Sequence, residues 1–244
     1  FILLSVGVVA ILAVMVGIGF FENRKITEGQ INSIGIDTAK NAANEVDLYF
    51  DRLEAIVVNV GVAAGRLVED HGLNTKALLE PAMVRFLEEN KKAGVQDVFF
   101  AFQGSGDLAD GTRWVPPADY DARKRPWFTG AVEAGKPILT EPYLDGITKK
   151  LIISVAAPVR SKSGSLLGVV GVDVDLETLS KRVTAYQLYG QGYGFLTNEK
   201  GVTVAHPKSE IILRDNISVK GGAITAELAE RVGAKMVLGE TGFG

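Results

Sequence analysis

Residues 120–128 read YDARKRPWF and hold three cations (Arg123, Lys124, Arg125) with three aromatics (Tyr120, Trp127, Phe128). In a chain of net charge -3, such a cluster is suited to receiving an anion. Pro126 biases Arg125 away from the α region and fits the first helical position itself. A helix is therefore predicted to begin at Pro126, with Arg125 beside its cap. That end presents free N–H groups and a partial positive charge. Arg125 adds a planar fork matched to a carboxylate, and Trp127 adds an indole N–H on an apolar body. The competing reading puts Trp127 in the core and pairs Arg125 with a nearby acid.

Asp173 sits in Val172-Asp173-Val174 at the end of an apolar run. A buried carboxylate without a partner is costly. Its partner is either a protein cation such as Arg125 or a cation brought by a ligand. Asp175 has a simpler role as a helix cap. Asp145 is a further candidate, although Asp145-Gly146 is also a turn pair. Tyr143 lies two residues earlier, on the same strand face. Arg125 and Trp127 on one side and Asp173 on the other suit a small zwitterion, such as an α-amino acid.

Other chemistries lack their residues. With no cysteine and two histidines, the chain offers no thiolate chemistry and no Cys/His metal cluster. It has no HExxH, nucleophile elbow or P-loop. No catalytic role, cofactor or metal is expected. A pI near 5.6 and the lack of another basic block argue against nucleic acid. His71 is expected near a helix end and His206 in a turn.

The elements that must position these residues begin with 1–21, FILLSVGVVAILAVMVGIGFF, which has no charge. Its length of about 30 Å as a helix would cross a bilayer core, so an uncleaved membrane helix is expected. The first residue is Phe1, as in a fragment. Apolar residues from Ala39 to Leu67 recur at three-to-four spacing, which predicts a helix over about 38–70 capped by Asp37. A stalk or spine is thus expected over 22–75. An amphipathic helix over 78–94 stops at Gly94. A strand over 98–102, a loop over 104–120 and a helix from Pro126 to Gly135 follow. ILTEPYL, LIISVAAPV and LLGVVGVDV then give an antiparallel meander, with Asp175 capping LETLSKRV. A second unit from about 188 has a strand, an Asn-Glu-Lys-Gly turn, a strand and a helix over 223–234. It ends at Gly244 before its sheet can close. The fold class is α+β.

YDARKRPWF, EPYLD, LIISVAAPV and GVVGVDVDL together resemble the double Cache sensor domain of bacterial methyl-accepting chemotaxis proteins. The resemblance spans nearly the whole chain, including the AHP turn at His206-Pro207. It implies two PAS-like antiparallel-sheet modules stacked on the spine, a membrane-distal one over 76–187 and a proximal, incomplete one over 188–244. It implies a ligand site in the distal module at Tyr120, Arg125, Trp127, Tyr143 and Asp173. Arg125 and Trp127 would hold a carboxylate. Tyr143 and Asp173, with Asp145, would hold an ammonium. Phe128 stands where many members have Tyr, which bears on the ligand's side chain. The resemblance further implies an L-amino acid as ligand, a homodimer, an extracytoplasmic sensor on the bacterial inner membrane, and output to cytoplasmic chemotaxis proteins. The same module on a histidine kinase or diguanylate cyclase, sensing amines or organic acids, is the alternative.

Overall fold

The computed structural model describes residues 2–187, 189–219 and 229–240, with no account of side chains over 1–23 or at Lys25. Helix α1 runs without interruption from Ile2 to Asp70, 69 residues or about 100 Å. The start expected at Asp37 is not observed. No proline or glycine pair breaks the pattern there, so the helix passes through and Asp37 is an interior residue. The side chains of the expected membrane span, 1–21, lie outside the described residues. Among the described residues no helix is long and apolar enough to cross a membrane. Further along, Tyr49, Leu53, Val57, Val60 and Ala64 repeat every three or four residues and turn into the core.

Helix α2, Lys76–Asn90, adds Leu79, Met83 and Leu87 to that core, and a short 3₁₀ turn ends at Gly94 in the left-handed region (φ 89°). Strand β1 (Val95–Phe102) pairs antiparallel with β2 (Leu108–Asp110). Helix α3 spans Pro126–Ala134 and stops at Gly135 (φ 65°). Strands β3 (Ile138–Leu139), β4 (Tyr143–Leu144), β5 (Leu151–Arg160) and β6 (Leu166–Asp175) complete one antiparallel sheet. Its order is β2-β1-β6-β5-β3, with β4 also on β5. This is not a simple meander, because the first strand pairs with the last. Strand β2 also lies in a stretch expected to be loop.

Strand alternation gives the sheet two apolar faces. Val98, Phe100, Ile153, Val155, Val170 and Val172 pack against α1 and α2. Phe99, Ala101, Ala156 and Val169 face the other way and pack with Ala122, Trp127, Phe128 and Ala131. The second face carries the candidate site.

Asp175 ends β6 and caps α4 (Leu176–Thr184), accepting from the N–H groups of Glu177 and Thr178. The second module holds β7 (Leu196–Thr197) and β8 (Thr203–Ala205), antiparallel around the Asn198–Gly201 turn. Val204 and Ala205 join the same core as α4. Of the helix expected over 223–234, residues 223–228 lie outside the described residues. The described part is a π-helical turn at Ala229–Gly233 running into α5, Ala234–Val237.

Candidate functional site

The Arg-Pro step shapes the site locally. Arg125 is extended (φ -80°, ψ 144°), and α3 starts at Pro126. Its neighbours are used by the turn. Asp121 accepts from the backbone and side chain of Arg123, whose guanidinium also reaches the carbonyls of Gln103 and Gly104. Lys124 is exposed. Among the described residues, Arg125 forms no ion pair and its guanidinium no hydrogen bond. It lies instead 5.9 Å from the centre of the Tyr143 ring and lines a cavity of about 200 Å³.

Tyr120, Trp127, Tyr143, Asp145 and Asp173 line the same cavity. Six of the seven sequence-derived candidates therefore converge. Phe128 is the exception. It is 4% exposed, packs in the apolar cluster under α3 and is not among the cavity-lining residues. Consecutive residues of a helix point about 100° apart, so the turn that sends Trp127 to the cavity sends Phe128 elsewhere. Trp127 is held against Phe99, ring centres 4.7 Å apart. Gly171 makes room for this contact, since a Cβ there would meet the Phe99 ring at 2.5 Å.

Asp173 does not pair with Arg125. It faces Ser154 across β5–β6 and Asp97 across β1–β6. Ser154 Oγ donates to Asp173 Oδ1 at 2.5 Å, which commits its single proton. Tyr143 O–H therefore donates to Ser154 Oγ, at 2.6 Å. A relay of Tyr143, Ser154 and Asp173 fixes the carboxyl. Burial pushes Asp173 up to about 7 against the Ser154 bond; the charges of Asp145 and Asp110 add to the rise and Arg125 opposes it. Burial, and then Asp173, also raise Tyr143. Burial pushes Tyr120 up to about 12. All three hydroxyls and carboxyls thus favour their neutral forms until a counter-charge arrives.

Asp145 plays a double part. It closes the β4–β5 turn by accepting from Ile147 N (3.0 Å), Thr148 N (2.6 Å) and Thr148 Oγ1 (2.6 Å). Burial acts to raise its carboxyl, but these bonds outweigh burial and hold it below its ordinary value. It stays an anion at the rim of the cavity.

Sequence reasoning missed Asp97, Asp110, Trp114 and Lys149, which also line the cavity. Asp97 is 5% exposed and Asp110 1% exposed. Asp110 Oδ1 accepts from Thr112 N, Thr112 Oγ1 and Trp114 N, and so fixes the loop that places Trp114 edge-on to Tyr120. Burial, followed by the charges of Asp110 and Asp173, pushes Asp97 up to about 9. The signal for Asp97 was an acid just ahead of the apolar run Val98–Phe102. Its place next to Asp173 depends on the β1–β6 pairing, which local pattern does not give.

The comparisons with known proteins agree with this architecture. Residues 23–239 match the Cache domain family of the dCache type. The methyl-accepting chemotaxis protein PctB of Pseudomonas aeruginosa is 31% identical over 192 residues, which cover 78% of this chain and 28% of that protein. The chain thus spans under a third of that relative's length. The solved ligand-binding domain of the P. aeruginosa amino-acid chemoreceptor PctC, in complex with GABA, has a TM-score of 0.64. It is 26% identical, covering 77% of this chain and 80% of that one. The PctB ligand-binding domain in complex with L-Arg has a TM-score of 0.58 at 28% identity, covering 78% and 73%. A match over 23–239, with one long helix and two antiparallel modules to go with it, establishes that the chain belongs to the Cache domain family.

Proposed function

We propose that the chain is the extracytoplasmic sensor region of a chemoreceptor that binds small amino acids by their carboxylate and ammonium groups. One observation carries this reading. Arg125 meets no anion among the described residues, and Asp173 meets no cation, yet both line one cavity. Buried charges in folded proteins are paired, so a zwitterion supplies both missing partners.

Arg125 and the Trp127 N–H take the carboxylate. Asp173 takes the ammonium, held by the Tyr143–Ser154 relay, with Asp145 and Tyr120 at its flanks. Each charge-assisted hydrogen bond contributes about 1.5–3 kcal/mol. Three or four of them, less the cost of ordering, reach the roughly -8 kcal/mol of micromolar affinity. Relatives that bind amino-acid-like ligands, GABA in PctC and L-Arg in PctB, support the same class.

Residues 1–21 form the membrane helix in this reading, 22–75 the stalk, 76–187 the ligand-binding module and 188–244 part of the membrane-proximal module. The receptor acts as a homodimer and passes its signal to cytoplasmic chemotaxis proteins through segments beyond Gly244. A ligand shifts the receptor only by its differential affinity for two states, and bridging Arg125, at the N-cap of α3, to Asp173 on β6 provides such a difference. The test is a thermal-shift screen of the purified protein against the twenty amino acids. At least one is expected to raise the melting temperature by several degrees. No response to any of them would sink the reading.

A further inference from the structure

The zwitterion leaves two of the cavity's acids without a cation. Four acidic side chains line it (Asp97, Asp110, Asp145, Asp173) with two basic ones, Arg125 and Lys149. Lys149 is exposed at the rim, where its ammonium donates to Gly146 O at 2.8 Å and its charge acts on Asp145. Once Arg125 holds the ligand carboxylate and Asp173 its ammonium, Asp97 and Asp110 remain on the cavity wall, with Asp110 opposite Phe99, two residues along β1 from Asp97.

Neither of these two is a surface acid. Asp97 is 95% buried, is aimed into the cavity, and has no cation partner among the described residues. Its Oδ1 accepts only from the N–H of its own neighbour Val98, at 2.7 Å. The Asp110 contacts to Thr112 and Trp114 all fall on Oδ1. Trp127, 97% buried with its indole N–H unbonded among the described residues, opens on the same space and marks it as a ligand cavity independently of the acids.

The sheet sets the spacing. Asp97 is the direct cross-strand neighbour of Asp173, one inter-strand step of about 4.8 Å away. Asp110 lies one strand further out, opposite Phe99. Three or four methylenes from an α-carbon span this interval. A second cavity of about 130 Å³ shares Asp97, Asp145, Ile147 and Asp173 with the first.

We infer that Asp97 and Asp110 form a second cation subsite, and that the ligand is an amino acid whose side chain ends in a positive charge, such as L-ornithine or L-lysine. The inference rests on the zwitterion reading above and narrows it to one class of side chain. Leu108 and Phe99 line the cavity beside the two acids and cover the methylenes. The Asp97–Asp110 pair takes the terminal ammonium, which supplies the counter-charge that lets Asp97 ionise.

Isothermal titration of the purified protein with L-lysine, L-ornithine and L-norleucine tests this. Norleucine matches lysine in length but lacks the terminal charge. Lysine or ornithine is expected to bind at least tenfold tighter than norleucine. In Asp97→Asn that ratio is expected to collapse towards one. Equal or tighter binding of norleucine by the wild-type protein overturns the second subsite while leaving the zwitterion clamp standing. A cation advantage that survives Asp97→Asn undiminished overturns it as well. Failure of all three ligands, together with the rest of the amino-acid panel, overturns the clamp itself.

Discussion

Replacing Asp97 with Asn should stabilise the ligand-free protein at pH 8. The side chain keeps its shape and hydrogen-bonding reach but cannot ionise. In the folded state burial and the charges of Asp110 and Asp173 raise the Asp97 carboxyl to about 9. In the unfolded chain it titrates near 3.9. A carboxyl raised on folding contributes stability that is complete below the unfolded value and is lost as pH rises through the folded one. The window here runs from about pH 4 to pH 9. At about 1.36 kcal/mol per pH unit, the loss by pH 8 has an upper bound on the order of 5 kcal/mol. The cavity admits water, and effective dielectrics near such sites are well above those of a dry interior, so about 2 kcal/mol is the working figure. For a domain of this size that is about 4–8 °C in melting temperature. Scanning calorimetry of wild type and Asp97→Asn at pH 5 and pH 8, without ligand, reads it. The variant should melt higher at pH 8, by a margin that shrinks at pH 5. Comparing two proteins at each pH cancels the titration of groups remote from Asp97. A variant equally stable or less stable than wild type at pH 8 would refute the placement of Asp97 as a buried, uncompensated acid.

Three further substitutions probe the supports of the site. Gly171→Ala puts a Cβ at 2.5 Å from the Phe99 ring and pushes that ring off Trp127. It should cost about 1–3 kcal/mol in denaturant unfolding and weaken ligand binding together with stability. Trp127→Phe keeps an aromatic body but deletes the indole N–H, so amino-acid affinity should fall about tenfold by titration calorimetry; an unchanged affinity would remove Trp127 from the clamp. Asp175→Ala removes the cap that accepts from Glu177 and Thr178 and should cost about 1 kcal/mol by chemical denaturation.

Local chemistry made half of the site legible. Pro126 fixes where α3 begins, Gly135 fixes where it ends, and together they aim Arg125 and Trp127. Asp175 reads as a cap because an acid stands immediately before an amphipathic stretch. The other half is non-local. The partner of Asp173 is Ser154, from the neighbouring strand, and no spacing rule in the chain marks that serine among the others. Asp97 and Asp110 enter the site only through the pairing of β1 with β6 and with β2, strands that lie far apart or inside a presumed loop. The placing of Phe128 shows a third limit. Its type invites a pocket, but the rotation of one helical residue takes it into the core. Asp37 shows the converse, because a good capping residue ends nothing when the helix before it has no reason to stop.

Arg125, with no anion partner among the described residues, is the proposed carboxylate anchor of an amino-acid site whose other pole is Asp173. Titration calorimetry of a responding L-amino acid and its methyl ester, on wild type and Arg125→Ala, tests it most directly. Wild type is expected to bind the free acid at least a hundredfold tighter than the ester, and Arg125→Ala to lose that preference while remaining folded. Ester and acid binding alike to the wild-type protein, or wild-type affinity for the acid in Arg125→Ala, would contradict it.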